Sequence, residues 1–355
     1  MGLTPDFWHG RRVFLTGHTG FKGGWLSLWL HSMGAKVHGY SLPAATTPAL
    51  FNEAQIERTA THTFADIRDA ESLAKSMHLF QPEVVFHLAA QPLVRESYRN
   101  PAETYSTNVM GTLNVLEAVR NLSSVQAVVV ITTDKCYENK EWVWPYREQD
   151  ALGGYDPYSS SKACVELLCA SYRQSFFQAS HVKLATARAG NVIGGGDWSV
   201  DRLVPDVLAA WQKQSEVIIR APLSVRPWQH VLEALHGYLI LAEALFSAKT
   251  DSADAWNFGP DIAGNATVES VIKSLAQYWG DSARWIVEPS QELHEAGLLA
   301  LDSSKARSML KWHTIWTLDE ALKQTVLWHK AWSSQDNMQA FTLKQIKEFQ
   351  DMVYE

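Results

Sequence analysis

Through the first half of the chain, short apolar runs alternate with longer stretches of helical period. Arg12–Thr16 (RVFLT), Lys36–Tyr40, Pro82–Ala90 (PEVVFHLAA), Val125–Ile131 (VQAVVVI) and Val182–Arg188 (VKLATAR) are the apolar runs. Short, β-branched and bounded by polar residues, they read as strands buried on both faces, as in a parallel sheet. Between them, Trp25, Leu26, Leu28, Trp29 and Leu30 recur at helical spacing, a second helix runs to Phe80, and long helices are expected over Pro101–Arg120 and from Tyr158 to Tyr172. For the helix ending at Phe80, Asp66 or Asp69 stands in the capping position.

A strand–helix rhythm of this kind predicts an α/β fold, a Rossmann-type doubly wound parallel sheet. The rhythm stops at Ala189–Asp197 (AGNVIGGGD), where the chain is expected to cross into a second unit. From Ala266 to Glu355 the pattern is helical, with an amphipathic stretch over Trp312–Trp332. The expected division is a dinucleotide-binding domain, 1–186 plus 228–258, and a smaller, mostly helical C-terminal substrate domain, 187–227 plus 259–355.

The first strand runs into GHTGFKGG, with glycines at 17, 20 and 23. In a strand–turn–helix context, Gly17 permits the tight turn, Gly20 the approach of a phosphate, and Gly23 close helix–strand packing. A pyrophosphate would then lie on amides at a helix N-terminus. The acidic residue expected at the end of the second strand to hold an adenosine ribose is missing, and Ser41 stands there. NAD and NADP are therefore not separated by this turn. His18 and Lys22 would suit an extra phosphate, or simply be solvated.

Composition narrows the partners. A net charge of −7 and a pI near 6.0 argue against nucleic acid, which needs a basic surface. Three cysteines, Cys136, Cys164 and Cys169, provide neither a disulfide framework nor zinc-ligand spacing. The first residues lack the apolar core of a signal peptide and no stretch is long enough to span a bilayer. The protein is expected to be cytoplasmic, with no membrane or metal partner.

The chemistry gathers after the Val125–Ile131 run. Ile131-Thr-Thr-Asp-Lys-Cys136 delivers a hydroxyl (Thr133), a carboxylate (Asp134) and an amine (Lys135) to the carboxyl end of a strand, where open α/β sheets bind ligands. As a bland alternative, the hexamer is a polar strand exit. Tyr158-Ser-Ser-Ser-Lys162 places a phenol and an amine one helical turn apart. An ammonium there would draw the phenol down towards working pH and make it a base for a sugar hydroxyl. Asn108, unfavourable mid-helix unless its amide is used, reads as a bond to an adjacent loop. His87 reads as a core histidine. Arg202 and Arg226, in separate loops, would clamp a diphosphate or be solvated.

With these residues assembled, the chain resembles the extended short-chain dehydrogenase/reductase family, and within it the sugar-nucleotide 4,6-dehydratases. TGHTGFKG, DIRD, HLAAQ, TNVMGT, TTDKCY, YSSSK, ARAGNVIGGGD, RPWQHV and NFGP carry the resemblance in order. It implies a tightly held NAD touched by Gly17, Gly20, Phe21, Lys22 and Gly23 at the turn. Asp66 and Ile67, then Leu88, Ala89, Ala90 and Asn108, and finally Tyr158 and Lys162 complete the implied cofactor contacts. The implied substrate is a nucleoside-diphosphate sugar, CDP-linked glucose being favoured, held by Gln91, Thr133, Asn191, Arg202, Leu203 and Arg226. The family's Ser/Thr–Tyr–Lys set falls on Thr133, Tyr158 and Lys162, and its dehydration pair on Asp134 and Lys135. Related dTDP-glucose enzymes have Glu where this chain has Lys135, the position of the base that takes the C5 hydrogen. The resemblance further implies a homodimer, or a dimer of dimers, built on the Pro101–Arg120 and Tyr158–Phe177 helices, and a place early in deoxysugar (O-antigen lipopolysaccharide) biosynthesis. A 4-epimerase on the same fold, which needs no acid–base pair at 134 and 135, and a non-catalytic dinucleotide sensor are the rival readings.

Overall fold

The computed structural model describes residues 3–247, 252–261, 264–288 and 297–354. Seven parallel strands form the central sheet: β1 (Arg12–Thr16), β2 (Lys36–Ser41), β3 (Thr61–Phe64), β4 (Val84–His87), β5 (Ala127–Ile131), β6 (Lys183–Ala189) and an edge strand, Ala255–Phe258. Smaller pairings use β7 (Asn191–Ile193), β8 (Val217–Ile219) and β9 (Val225–His230), and the edge strand is therefore β10 in chain order. β11 (Asn265–Thr267) pairs with β9, and β12 (Trp285–Val287) with β8. The order of the large sheet is β10-β6-β5-β4-β1-β2-β3, so the crossover direction reverses between β1 and β4. A ligand crevice opens at such a reversal, outside the carboxyl ends of the strands.

Helices cover both faces, as parallel strands without a wet side require. On one face lie α1 (Phe21–Ser32) and a later helix, Val231–Phe246; on the other lie α2 (Ala70–Phe80), α3 (Gly111–Arg120) and α4 (Pro157–Tyr172). β5 is buried at every position, Ala127 to Ile131, in agreement with the apolar run. The expected Pro101–Arg120 helix is continuous in direction, but Ser106–Met110 is wound as a π-helix between Pro101–Tyr105 and α3. Asp69 caps α2, its carboxylate accepting from the Ser72 amide at 3.0 Å.

A second hydrophobic cluster joins α5 (Leu203–Gln212) through Val204, Val207, Leu208 and Trp211 to Trp228 and to two later helices. Numbered in order, Val231–Phe246 is α6 and those two helices are α7 (Val268–Trp279) and α8 (Leu318–Ser333). The last helix, α9 (Met338–Tyr354), packs on the Rossmann face instead. Its Phe349 ring stands 5.7 Å from Trp29 and 5.2 Å from Trp316. The amphipathic helix expected from Trp312 begins only at Leu318, because Glu233, buried in α6, accepts the amides of Ile315 and Trp316 and holds that segment extended. No helix among the described residues is long and apolar enough to cross a membrane.

Candidate functional site

Between the two hydrophobic units lies a cavity of about 720 Å³. One part of its wall is built from the exit of β5. Thr133 ends the extended backbone and caps a 3-10 turn, Asp134–Cys136. Its hydroxyl donates to Asp134 Oδ1 at 2.9 Å, while Asp134 is almost fully buried and no protein donor meets Oδ2. Lys135 lines the same wall. Among the described residues no ion pair joins Lys135 to Asp134, so the two are not locked together.

Asp156 caps α4 by accepting from the Ser159 amide, which sets Tyr158 and Lys162 in the helix's first turns. Tyr158 faces the cavity with Thr133, Asp134 and Lys135. The expectation that an ammonium draws its phenol down is not met. Burial pushes Tyr158 up to about 12, and the Thr133 hydroxyl and the Arg202 guanidinium offset only part of that. Lys162 is buried beneath the site and donates to the Ile131 carbonyl at 3.1 Å. Desolvation brings its amine down to about 8 against the pull of Glu166. Lys162 thus ties α4 to the end of β5.

The glycine turn has the shape the sequence predicts. Gly17 has φ +77°, and a Cβ there would sit 2.7 Å from the Ala89 amide nitrogen. A Cβ on Gly23 would sit 2.1 Å from the Gly17 carbonyl oxygen, so helix and turn touch through backbone. At Gly20 the nearest protein atom would be 3.4 Å away, ordinary contact, so the protein itself leaves room there. Gly20 is the N-cap of α1 and no side chain caps that terminus. Open amides, a helix N-terminus and space over Gly20 fit a dinucleotide pyrophosphate.

Other expected cofactor residues support the turn. Thr16 Oγ1 accepts the amides of both Leu88 and Ala89, with Ala90 following, and this presses the end of β4 against Gly17. The Phe21 ring packs towards Gly194 in the loop after β7. Asp66 forms a two-oxygen fork with Arg68, which holds its carboxyl below the usual range, and the Ile67 carbonyl accepts from Asn114. Ser41 is buried and bonded to Thr19 at 2.8 Å. His18 is neither solvated nor turned to a phosphate. Its ring lies against Gly39 and stacks near His62 and Phe64, and burial lowers it to about 4.

Lys22, by contrast, lines the cavity. Desolvation and the neighbouring Arg202 and Lys162 cations bring its amine down to about 7. Asn191, Arg202, Leu203 and Arg226 line the cavity as expected, and Asp197 holds the Arg202 guanidinium at 3.0 Å. Two expected contacts bond to the protein itself. Gln91 donates to the Leu93 carbonyl and to Thr104 of the Pro101–Tyr105 helix, and accepts from the Leu93 amide. Asn108, buried in the π-turn, accepts from the Gln91 amide and donates to the Gln91 carbonyl and to Ser161. It joins the β4 loop to α4, as a mid-helix asparagine bonding an adjacent loop should. His87 is a core residue between Thr16 and Thr112.

One functional support escaped the sequence reading. Glu166 and Arg188 form a buried ion pair at 2.8 Å directly behind the strand ends. Glu166 also accepts from Thr132 at 2.5 Å and Thr186 at 2.7 Å, so it grips the residue next to Thr133. A carboxylate and a guanidinium inside two apolar patterns were the signal.

A family model described as GDP-mannose 4,6 dehydratase matches residues 14–325. The CDP-glucose 4,6-dehydratase of Salmonella typhimurium is 51% identical over 352 residues, covering 98% of each chain. A dTDP-glucose 4,6-dehydratase of Xanthomonas campestris pv. campestris is 26% identical over 337 residues, 89% of this chain and 92% of the other. Among solved structures, a Thermotoga maritima UDP-glucose 4-epimerase with UDP-glucose superposes with a TM-score of 0.79 at 25% identity, covering 91% of this chain and 99% of that one. A Bacillus anthracis dTDP-glucose 4,6-dehydratase in complex with NAD gives 0.75 at 18% identity over 93% and 99% of the two chains, a likeness of fold.

Proposed function

The chain belongs to the GDP-mannose 4,6-dehydratase family, and from that membership we propose that it is a CDP-glucose 4,6-dehydratase, an NAD-dependent lyase that makes CDP-4-keto-6-deoxyglucose and water from CDP-glucose. The observation that carries the reading is the presence of Asp134 and Lys135 on the same cavity wall as Tyr158 and Thr133. A 4-epimerase needs the phenol but has no use for the second pair.

The open amides of α1 at the glycine turn would hold NAD, which when bound would supply an acceptor for the hydride of C4 and a donor of that hydride to C6. The chain's own residues manage the protons. Tyr158 takes the C4 hydroxyl proton, with Thr133 positioning that hydroxyl beside the phenol. Because burial holds Tyr158 high, cations must favour its ionisation, and Arg202 already acts in that direction. The ketone at C4 acidifies the C5 hydrogen. Lys135 removes that proton and Asp134 protonates the departing C6 oxygen, which leaves as water. A lysine working as a base has to be neutral to take that proton.

Arg202 and Arg226 serve the diphosphate, and Asn191 and Leu203 the sugar nucleotide beside it. The two hydrophobic units support a division of labour, with 1–186 plus 228–258 holding NAD and 187–227 plus 259–355 the sugar nucleotide; α9 packs on the first. A cytoplasmic homodimer, paired through the helices around α3 and α4, completes the reading. Exposed Tyr105, Met110, Leu167 and Phe176 on those helices support it.

The test is direct. Incubation with CDP-glucose should produce a 4-keto sugar with no net consumption of NAD, and formation of CDP-galactose instead would establish the epimerase. Lys135→Met should stop solvent deuterium from entering C5 while NAD stays bound. Normal exchange in that variant would assign the base to another residue.

A further inference from the structure

The cavity wall also includes Leu203, Ile218, Trp228 and Val268, apolar surfaces suited to a flat ring. Most carboxylates on the cavity wall have partners. Arg202 and the Ser199 amide take Asp197, Arg95 takes Asp201 at 3.2 Å, and the Ser159 amide takes Asp156. Asp206, in the first turn of α5, also lines the cavity. Among the described residues its carboxylate has neither a hydrogen bond nor an ion pair. Arg95 and Arg220 act on it only through space, and Asp201 and Asp197 oppose them. Burial and those two carboxylates raise Asp206 to about 6, so it is ionised at neutral pH.

An open anionic acceptor on the wall of a nucleotide cavity discriminates between pyrimidines. Cytosine presents an exocyclic amine, a donor, where uracil and thymine present a carbonyl oxygen, an acceptor. A carboxylate accepts from that amine; facing a carbonyl it sets two acceptors against each other and leaves both unpaired. We propose that Asp206 is the residue that selects the cytosine base, its carboxylate accepting from the exocyclic amine of the CDP-sugar. The proposal rests on the reading of the chain as a nucleoside-diphosphate-glucose dehydratase and adds the group that chooses among the pyrimidines. Asp206 does not touch the reacting carbons, so its effect belongs in substrate affinity.

The experiment compares the full-length enzyme with Asp206→Asn and Asp206→Ala. Initial rates of 4-keto product formation are measured with CDP-, UDP- and dTDP-glucose, and the affinities of CDP and UDP are measured by calorimetry. Asp206→Asn should lower kcat/KM for CDP-glucose about ten- to hundredfold, mainly through KM, the range of one well-made base contact. Its amide can donate to a carbonyl, so the preference for CDP- over UDP-glucose should narrow more in Asp206→Asn than in Asp206→Ala. CDP should lose affinity in both variants. An unchanged ratio of CDP- to UDP-glucose turnover in both folded variants would overturn the proposal. Should the unsubstituted enzyme make no 4-keto product from any of the three sugars, the dehydratase reading fails. Calorimetry then still decides on Asp206: a preference for CDP over UDP that Asp206→Asn abolishes supports the base contact, and equal binding overturns it.

Discussion

Replacing Arg188 with methionine should both destabilise the fold and impair the catalytic strand end. The guanidinium is 3% exposed and its partner carboxylate 1%. One nitrogen donates to Glu166 at 2.8 Å; the other donates to the Tyr137 hydroxyl at 2.7 Å and the Glu148 carbonyl at 3.2 Å. Methionine fills similar space but leaves Glu166 with two hydroxyl donors and no cation. Breaking a buried pair from one side costs about 3–5 kcal/mol, because an uncompensated charge remains. For a chain of this size, at about 2 °C per kcal/mol, the midpoint should fall by roughly 6–10 °C. Burial alone would raise the Glu166 carboxyl, yet the Arg188 charge and three hydrogen bonds hold it below its ordinary value. That contribution to stability is fully present above the unfolded carboxyl value of about 4.3 and is lost as pH falls through the depressed folded value. Arg188→Met should therefore erase part of the acid limb of the stability curve. The double variant Glu166→Leu/Arg188→Met, with both charges gone, should recover much of the loss. Calorimetric unfolding between about pH 2 and 8, which spans the acid limb, provides the measurement. A single variant within about 1 kcal/mol of the parent would show that the pair does not carry the strand ends.

Two further changes probe other parts of the frame. Gly17→Ala puts a methyl group 2.7 Å from the Ala89 nitrogen at a φ of +77°; the expected result is a protein that loses NAD and about 1 kcal/mol or more of stability, read by cofactor retention on gel filtration and by denaturant unfolding. Glu233 is raised to about 8 by burial, its carboxylate accepting the Ile315 and Trp316 amides. An acid raised in the folded state makes stability fall from about pH 4.3 upwards until the folded value is passed. Glu233→Gln cannot ionise, so its midpoint should change less than the parent's between pH 5 and 8, and an equal decline would refute the assignment.

What could be read from the chain follows from which forces act locally. Strands β1, β4, β5 and β6 are buried on both faces and therefore announce themselves as apolar runs. β3, Thr-His-Thr-Phe at the sheet's edge, has no buried residue and so no such signature. Gly17 and Gly23 were legible because their constraint is steric and backbone-deep. The bonds of Gln91 were not legible, because a family motif specifies a position, whereas the Leu93 carbonyl and Thr104 decide where its amide is spent. Asn108 was legible as to kind, since a helix tolerates a buried amide only when a neighbour uses it, but its two partners, Gln91 and Ser161, come from segments 17 and 53 residues away. The direction of the Tyr158 shift was not readable from a four-residue spacing, because desolvation depends on everything packed around the phenol.

Asp134 brings the energetic and chemical arguments together. Its Oδ1 accepts from Thr133, but Oδ2 is buried without a protein donor and points towards Gly190. A buried acceptor left so costs about 1–3 kcal/mol, more if charged. Any side chain at 190 would begin 3.3 Å from that oxygen and 2.5 Å from the Pro227 ring, so glycine keeps the approach clear. Stability is given up to leave one carboxylate oxygen without a protein donor in a residue that lines the wall with Tyr158 and Lys135. Asp134→Asn preserves the shape and the bond from Thr133 while removing the proposed proton donor. It should fold at least as stably as the parent, exchange the C5 hydrogen with solvent and fail to release water. Elimination from that variant at the parent's rate would place the acid on another residue, and a marked loss of stability would show that Oδ2 is held in the fold by a bond it does not now display.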